Sequence, residues 1–135
     1  FCDTWRKLRE GGIGDAVELH PLLLLPPRDW LHKRCDLRFE QMLERGAVEE
    51  VRELLALDLP ADAPVMRAIG VPEIAAMLRG EIDRDEALAR GQAATRQYAK
   101  RQYTWFRNQS PDGWPRYTEV YSDSEFSKIE RLFHF

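Results

Sequence analysis

The sequence predicts a mainly helical fragment with one or two short strands. Apolar residues recur at helical spacing over most of the 135 residues. Strand-like patterns occur at only two places, a short apolar run at Leu22–Leu25 and the segment "RYTEVY" that begins at Arg116. Helices therefore account for most of the expected structure.

The first elements follow from proline and glycine positions. Prolines bound Leu22–Leu25, and a continuous apolar run of this length fits a strand buried on both faces better than a helix. Asp29 begins a helix that is predicted to reach about Arg45, and Gly46 provides a left-handed stop. A second helix is expected over about 47–57.

The second half of the chain carries similar signals. Three prolines and a glycine within 57–73 predict a loop with a short turn around Val65–Ile69. Pro72 suits the first turn of a third helix, which Gly80 ends. Asp83, with Glu86 three residues later, predicts the start of the longest helix, over about 84–107. A short amphipathic helix is expected from Ser124.

The bulk composition is that of an ordinary soluble globular protein, with 44% apolar and 32% charged residues and a net charge of −3. No apolar run is long enough to span a membrane. Cys2 and Cys35 have neither CxxC spacing nor a histidine pattern, so the sequence indicates no zinc site or disulfide framework and favours a reducing, intracellular setting. Cys35 fits a small buried apolar residue. The chain begins without methionine or a helix-start signal, which suggests the carboxyl-terminal part of a larger enzyme.

The longest predicted helix is strongly basic. No acidic residue lies between Glu86 and Asp112, and the segment contains five cations, namely Arg90, Arg96, Lys100, Arg101 and Arg107. A projection at about 100° per residue predicts two faces. The expected packed face comprises Ala87, Gly91, Ala94, Tyr98, Gln102 and Trp105. The opposite face comprises Arg96, Lys100, Tyr103 and Arg107.

Three interpretations of this cationic face remain open. It is a solvated surface, a docking site for an acidic protein, or a binding site for a nucleic acid. Because carboxylate partners at i+4 are missing from the cationic face, the repulsion between like charges favours an external polyanion. Arginine and lysine would then neutralise phosphates, while Tyr103 could stack on an unpaired base.

An arginine also interrupts the apolar pattern of the first helix. The projection places Leu31, Cys35, Arg38 and Met42 on one line. Arg38 therefore reaches the edge of the core, pairs with a carboxylate, or binds an anion such as a phosphate. The pattern alone leaves all three open.

Two long strings carry a family resemblance. "RDWLHKRCDLRFEQMLERGAVEEVRELL" and "PVMRAIGVPEIAAMLRGEIDRDEALARGQAATRQYAKRQYTWFRNQ" follow, over about 27–109, the order and spacing of bacterial tRNA dimethylallyltransferases, the IPP transferase family. The resemblance implies a P-loop α/β core with a helical insertion, of which this chain would be the carboxyl-terminal portion. Residues 1–19 would be the tail of a preceding helical segment, 20–110 part of the transferase core with tRNA-binding helices, and 111–135 a terminal strand and helix.

The resemblance also implies the reaction and its partners. Such enzymes transfer a dimethylallyl group from dimethylallyl diphosphate to the exocyclic amine of the adenosine 3′ of the anticodon, with magnesium. The expected partners are the tRNA anticodon stem-loop and dimethylallyl diphosphate, with the enzyme acting as a cytoplasmic monomer without membrane association.

Carried over residue by residue, the resemblance implies that Arg38 helps to bind the diphosphate. One implied tRNA-contacting segment comprises Arg67, Ala68, Ile69, Gly70, Val71 and Pro72. The other comprises Arg96, Lys100, Arg101, Gln102, Tyr103, Thr104 and Arg107. Trp105, on the expected packed face, is interpreted as structural.

Two departures from the family pattern matter. Val71 stands where many relatives have tyrosine, and no GxxxxGK[ST] P-loop occurs in the 135 residues. No general base or metal ligand can be assigned. The alternative class is a non-enzymatic helical RNA- or DNA-binding module.

Overall fold

The computed structural model describes residues 16–120. In chain order these form β1 (Leu23–Leu24), α1 (Arg28–Glu44), α2 (Ala47–Ala56), a 3-10 helix (Pro64–Arg67), α3 (Val71–Leu78), α4 (Arg84–Gln109) and β2 (Arg116–Tyr117). The predicted mainly helical fold with one or two strands is confirmed. The helix predicted from Ser124 lies outside the described residues, as does the segment before residue 16.

The two strands pair in parallel. Leu23 lies opposite Arg116, and Leu24 lies opposite Tyr117. The Leu25 amide donates a hydrogen bond to the Tyr117 carbonyl at 2.8 Å. The prediction of a strand buried on both faces is wrong for the described chain, because Leu23 and Leu25 are buried whereas Leu24 is 52% exposed. Alternate residues of a strand point to opposite faces, and only one face is covered here.

Local signals end and begin the helices as predicted. Gly46 and Gly80 follow α1 and α3 with φ angles of 118° and 75°, in the left-handed region that favours glycine. The Asp83 carboxylate accepts a hydrogen bond from the Glu86 amide at 2.8 Å and so caps α4. The turn expected around Val65–Ile69 is the 3-10 helix. These three boundaries thus follow from a capping side chain or a glycine at each position.

The core lies where α1, α2 and α3 meet. Its buried cluster comprises Phe39, Leu43, Val51, Ile74 and Ala75. α4 packs against α1 and α3. A methyl group at Gly91 would lie 2.0 Å from Cζ of Phe39, and one at Gly70 would lie 3.1 Å from Cε2 of the same ring. The Phe39 ring therefore occupies space that only glycine leaves free on α4.

No helix within residues 16–120 combines the length and the apolar character needed to cross a membrane.

Candidate nucleic-acid interface

α4 contacts the core through small residues. Ala87, Gly91 and Ala99 are buried, whereas Tyr98 is 47% and Trp105 60% exposed. The predicted packed face is therefore wrong at Tyr98 and Trp105, because Ala99 is the buried residue in this part of α4. Small side chains allow α1 to approach the helix closely, and large aromatic side chains do not fit that contact.

Two of the five cations after Glu86 in α4 form ion pairs within residues 16–120: Arg96, on the predicted cationic face, and Arg90, which lies outside it. Arg96 Nη1 lies 2.5 Å from Oδ1 of Asp36 on α1, and on the same helix Arg90 Nη2 lies 2.5 Å from Oε1 of Glu86. Arg96 has no i+4 carboxylate, as predicted, but Asp36 from a distant part of the sequence pairs with it, so its charge needs no external anion. The i+4 partner of Arg90 reduces repulsion within the helix.

Tyr103 also belongs to the helix contact. Its side chain is half-buried, and the Arg28 guanidinium carbon lies 4.8 Å from the ring centroid. This cation–π contact joins the amino end of α1 to the carboxyl half of α4. The predicted stacking of Tyr103 on a base would have to compete with Arg28.

The cationic side chains in the last turns of α4 are accessible to a partner. Lys100, Arg101 and Arg107 are exposed, and none of them forms an ion pair within residues 16–120. Arg101 lies over the Tyr98 ring at 5.6 Å, and Arg107 Nε donates to Oδ1 of Asn108 at 3.3 Å. Neither contact neutralises a positive charge.

A shallow depression runs along this end of α4. We call it the distal surface, and its lining residues are Gln97, Lys100, Arg101, Thr104, Trp105, Asn108 and Gln109. Trp105 meets Phe106 edge to face, with ring centroids 5.1 Å apart. Trp105 is the residue that the sequence interpretation missed as a surface group. The sequence contains one sign that Trp105 is exposed, because the cation Arg101 lies one turn away on the same side of the helix.

Gln102 and Thr104 complete the second implied segment. Gln102 is exposed, and Thr104 is half-buried within the distal surface. Thr104 therefore lines the same depression as Lys100 and Arg101, whereas Gln102 does not.

Arg38 lies outside the core. On α1 the buried side chains are Phe39 and Leu43, whereas Arg38 and Met42 are exposed. The prediction that Arg38 lies within a packed apolar stripe is therefore wrong, because a different face of the helix, which carries Phe39 and Leu43, packs into the core. Arg38 forms no ion pair among the described residues, so its guanidinium is available to an anion.

One cavity brings together the three segments that carry predicted site residues. It is lined by Cys35, Arg38, Phe39, Met42, Ile69 and Thr95. Arg38 of α1 thus faces the same space as Ile69 of the implied tRNA-contacting loop and Thr95 of α4. This convergence joins positions that lie up to 57 residues apart in the sequence.

The other residues of the 67–72 segment differ in accessibility. Arg67, Ala68 and Pro72 are exposed, whereas Val71 is half-buried against the core cluster. Gly70 is buried with a φ of 99°, and its amide donates to Oε2 of Glu73 at 3.0 Å. The exposed members can meet a partner, while Gly70 and Val71 fix the loop.

Cys35 is half-buried, which corrects the expectation of a buried residue. Partial burial, followed by the Asp36 charge, raises the pKa of its thiol, while Arg38 and Arg96 oppose the rise. The thiol therefore stays protonated at neutral pH and is a poor nucleophile. No three His, Cys, Asp or Glu side chains within residues 16–120 are grouped so that they could hold a metal ion.

An exposed helix end with unpaired cations and an aromatic side chain is the kind of surface that binds nucleic acid. Comparisons with known proteins give the family. Residues 5–109 match the IPP transferase family. A tRNA dimethylallyltransferase of Sphingopyxis alaskensis is 63% identical over 119 residues, which cover 88% of this chain and 39% of the relative. One from Erythrobacter litoralis is 60% identical, over 96% of this chain and 39% of its own.

Solved structures agree with these relatives. The full-length tRNA isopentenylpyrophosphate transferase of Bacillus halodurans superposes with a TM-score of 0.74 at 30% identity, over 96% of this chain and 41% of that one. The chain belongs to the IPP transferase family, which confirms the resemblance. It spans about two fifths of the length of the curated relatives it matches.

Proposed function

We propose that this chain is the carboxyl-terminal part of a tRNA dimethylallyltransferase. The enzyme would transfer the dimethylallyl group of dimethylallyl diphosphate to the exocyclic amine of the adenosine 3′ of the anticodon. The amine forms a bond to the allylic carbon, the carbon–oxygen bond to diphosphate breaks, and the amine loses a proton. Family membership and the names of the relatives support this proposal over a non-enzymatic binding module.

The observation that carries the RNA-binding part of the proposal is the distal surface. Lys100 and Arg101 lie beside the exposed Trp105, and no carboxylate neutralises either cation within residues 16–120. Arg107 lies two turns beyond Lys100 on the same side of the helix. These cations would contact phosphates of the anticodon stem-loop, while Gln102 and Thr104 supply polar contacts.

The loop before α3 would form a second contact. Arg67 is exposed, and Ile69 lines the cavity that also contains Arg38. A tRNA nucleotide held against this loop would thus approach the guanidinium of Arg38.

In our proposal Arg38 binds the diphosphate. A guanidinium can make two parallel hydrogen bonds to phosphate oxygens, and it would stabilise the negative charge that grows on the leaving group. The exposure of Arg38 and the lack of an ion pair within the described chain support this role. Within residues 16–120 no three His, Cys, Asp or Glu side chains are grouped as metal ligands, and we assign no magnesium contact to these residues.

The test uses a full-length transferase that contains this chain. Prenyl transfer to tRNA is measured with varied dimethylallyl diphosphate, for the unchanged enzyme and for Arg38→Ala. We expect Arg38→Ala to raise KM for the diphosphate or lower kcat, with tRNA affinity unchanged. Glu40→Ala, an exposed position two residues away on α1, is the matched control. Unchanged kinetics for the diphosphate would remove Arg38 from the site, and a lack of transfer by the unchanged enzyme would refute the function.

A further inference from the structure

The contact between α1 and α4 includes one charged pair that the proposed function does not use. Arg96 Nη1 lies 2.5 Å from Oδ1 of Asp36, and the two residues are 60 positions apart in the sequence. Their side chains are 36% and 32% exposed, so water screens the pair only in part. The backbone carbonyl of Asp36 also accepts a hydrogen bond from Nε2 of Gln92 at 3.3 Å. Gln92 and Arg96, on consecutive turns of α4, thus both donate hydrogen bonds to Asp36 of α1.

The pair lies beside the cavity that contains Arg38. Asp36 is two residues before Arg38 on α1, and Arg96 follows Thr95, which lines the cavity on α4. The Thr95 hydroxyl donates to the Gly91 carbonyl at 2.7 Å within its own helix. Its hydrogen is therefore directed to α4 and not across to α1. Among the described residues, two side-chain hydrogen bonds join α4 to α1 here: Arg96 donates to the Asp36 carboxylate, and Gln92 donates to the Asp36 carbonyl.

The same pair reduces the availability of Arg96 to RNA. A phosphate at this position would replace or compete with a carboxylate that already neutralises the guanidinium. Lys100 lies one turn further along α4, is exposed, and has no such partner within residues 16–120. Arg96 and Lys100, which both belong to the predicted cationic face, therefore differ in their surroundings.

We propose that Arg96 is a positioning residue, which uses its ion pair with Asp36 to fix α1, and with it Arg38, relative to the RNA-binding end of α4. This role replaces the phosphate contact expected for Arg96 from the sequence. It rests on the proposed function, because Arg38 must bind the diphosphate for its position to matter.

The test compares variants of the full-length transferase that contains this chain. Asp36→Asn and Arg96→Gln each remove the pair, and the double variant shows whether their effects are shared. Two measurements are made: KM for dimethylallyl diphosphate at saturating tRNA, and the slope of log tRNA affinity against log salt. Arg90→Gln is the matched control, because the Arg90–Glu86 pair has the same 2.5 Å separation but lies within α4.

We expect each single variant to raise KM for the diphosphate about threefold to tenfold, and the double variant to be no worse than either one. The salt slope should stay unchanged in Arg96→Gln, whereas Lys100→Gln should make it less steep by about 0.7 to 0.9. Arg96→Lys, which keeps the charge, should retain most of the diphosphate affinity. Arg90→Gln should change neither quantity.

Three results would overturn the positioning role. They are a salt slope that falls in Arg96→Gln as it does in Lys100→Gln, an unchanged KM in Asp36→Asn, and single effects that simply add in the double variant. The two results that concern KM require that the unchanged enzyme transfers the prenyl group, whereas the salt slope is a binding measurement and does not. If the unchanged enzyme is inactive, the proposed function itself fails and the positioning role fails with it, so the two failures are distinguishable.

Discussion

The second half of α4 is more exposed than the first, although the two halves form one continuous helix. In the half before Arg96, Ala87 and Gly91 are buried against the core, and Arg90 is paired with a carboxylate. In the half after it, Trp105 is exposed and Lys100 has no acidic partner within residues 16–120. Arg96, paired across to Asp36, marks the change.

This difference shows how one helix can combine two tasks. Close packing of the first half fixes the direction of the helix, since well-packed interiors deform little. The second half can then present its side chains to a partner at a defined place. Substitutions in the first half should therefore affect stability, and substitutions in the second half should affect binding.

The largest difference between the halves is expected in the free energy of unfolding, when an aromatic residue associated with each half is replaced by alanine. Phe39, which packs on the first half, is 3% exposed, whereas Trp105 in the second half is 60% exposed. Phe39→Ala should lower the free energy of unfolding by about 3–5 kcal/mol because it leaves a cavity in the core. Trp105→Ala should lower it by less than about 1 kcal/mol. Urea unfolding measures both, and similar losses in the two variants would contradict the division.

A smaller loss is expected at the helix contact itself. A methyl group at Gly91 would lie 2.0 Å from Cζ of Phe39. Gly91→Ala should destabilise the protein by about 1–3 kcal/mol through overpacking, although alanine is favoured over glycine in a free helix by about 1 kcal/mol. Gly113→Ala is the control, because a methyl group there meets nothing within 4 Å. A stabilised Gly91→Ala variant would show that α1 and α4 do not pack so closely.

The start of the first half offers a third comparison. Asp83→Ala removes the hydrogen bond from the Glu86 amide to the capping carboxylate. We expect a loss of about 1 kcal/mol in the free energy of unfolding. Asp85→Ala, which removes an acidic side chain from the same turn without removing the cap, should cost less. Equal losses would mean that the cap contributes only through its charge.

The helix boundaries could be predicted from the sequence because their causes are local. Asp83 caps α4, and Gly46 ends α1 in a left-handed conformation. A capping side chain or a glycine acts within one turn, so the residues that decide the boundary lie next to it. The expected ends of α1 and α4 therefore agree with the structure to within two residues.

The rotation of the helices could not be predicted in the same way. A projection gives weight to large apolar side chains, and it placed Tyr98 and Trp105 inside. The structure buries Gly91 as predicted but buries Ala99 in place of Tyr98 and Trp105, because the close contact with α1 selects small residues. Likewise, Arg38 and Met42 are exposed, since Phe39 is the residue of α1 that packs against Gly70 and Gly91 from distant parts of the chain.

Partners from other helices explain the remaining errors at the site. Asp36 is 60 residues from Arg96, and Arg28 is far from Tyr103 in the sequence. A charge count along one helix cannot include such partners. The family resemblance implied that these segments act together, and in the described chain Arg38, Ile69 and Thr95 line one cavity.

The most direct test of the account is the salt dependence of tRNA binding by a full-length transferase that contains this chain. Two double variants remove the same charge from the two halves of α4: Lys100→Gln with Arg107→Gln, and Arg84→Gln with Arg90→Gln. The account predicts that the first pair makes the slope of log affinity against log salt less steep by about 1.4 to 1.8, and that the second pair leaves it unchanged. Equal slopes in the two double variants would contradict the assignment of RNA binding to the second half of the helix.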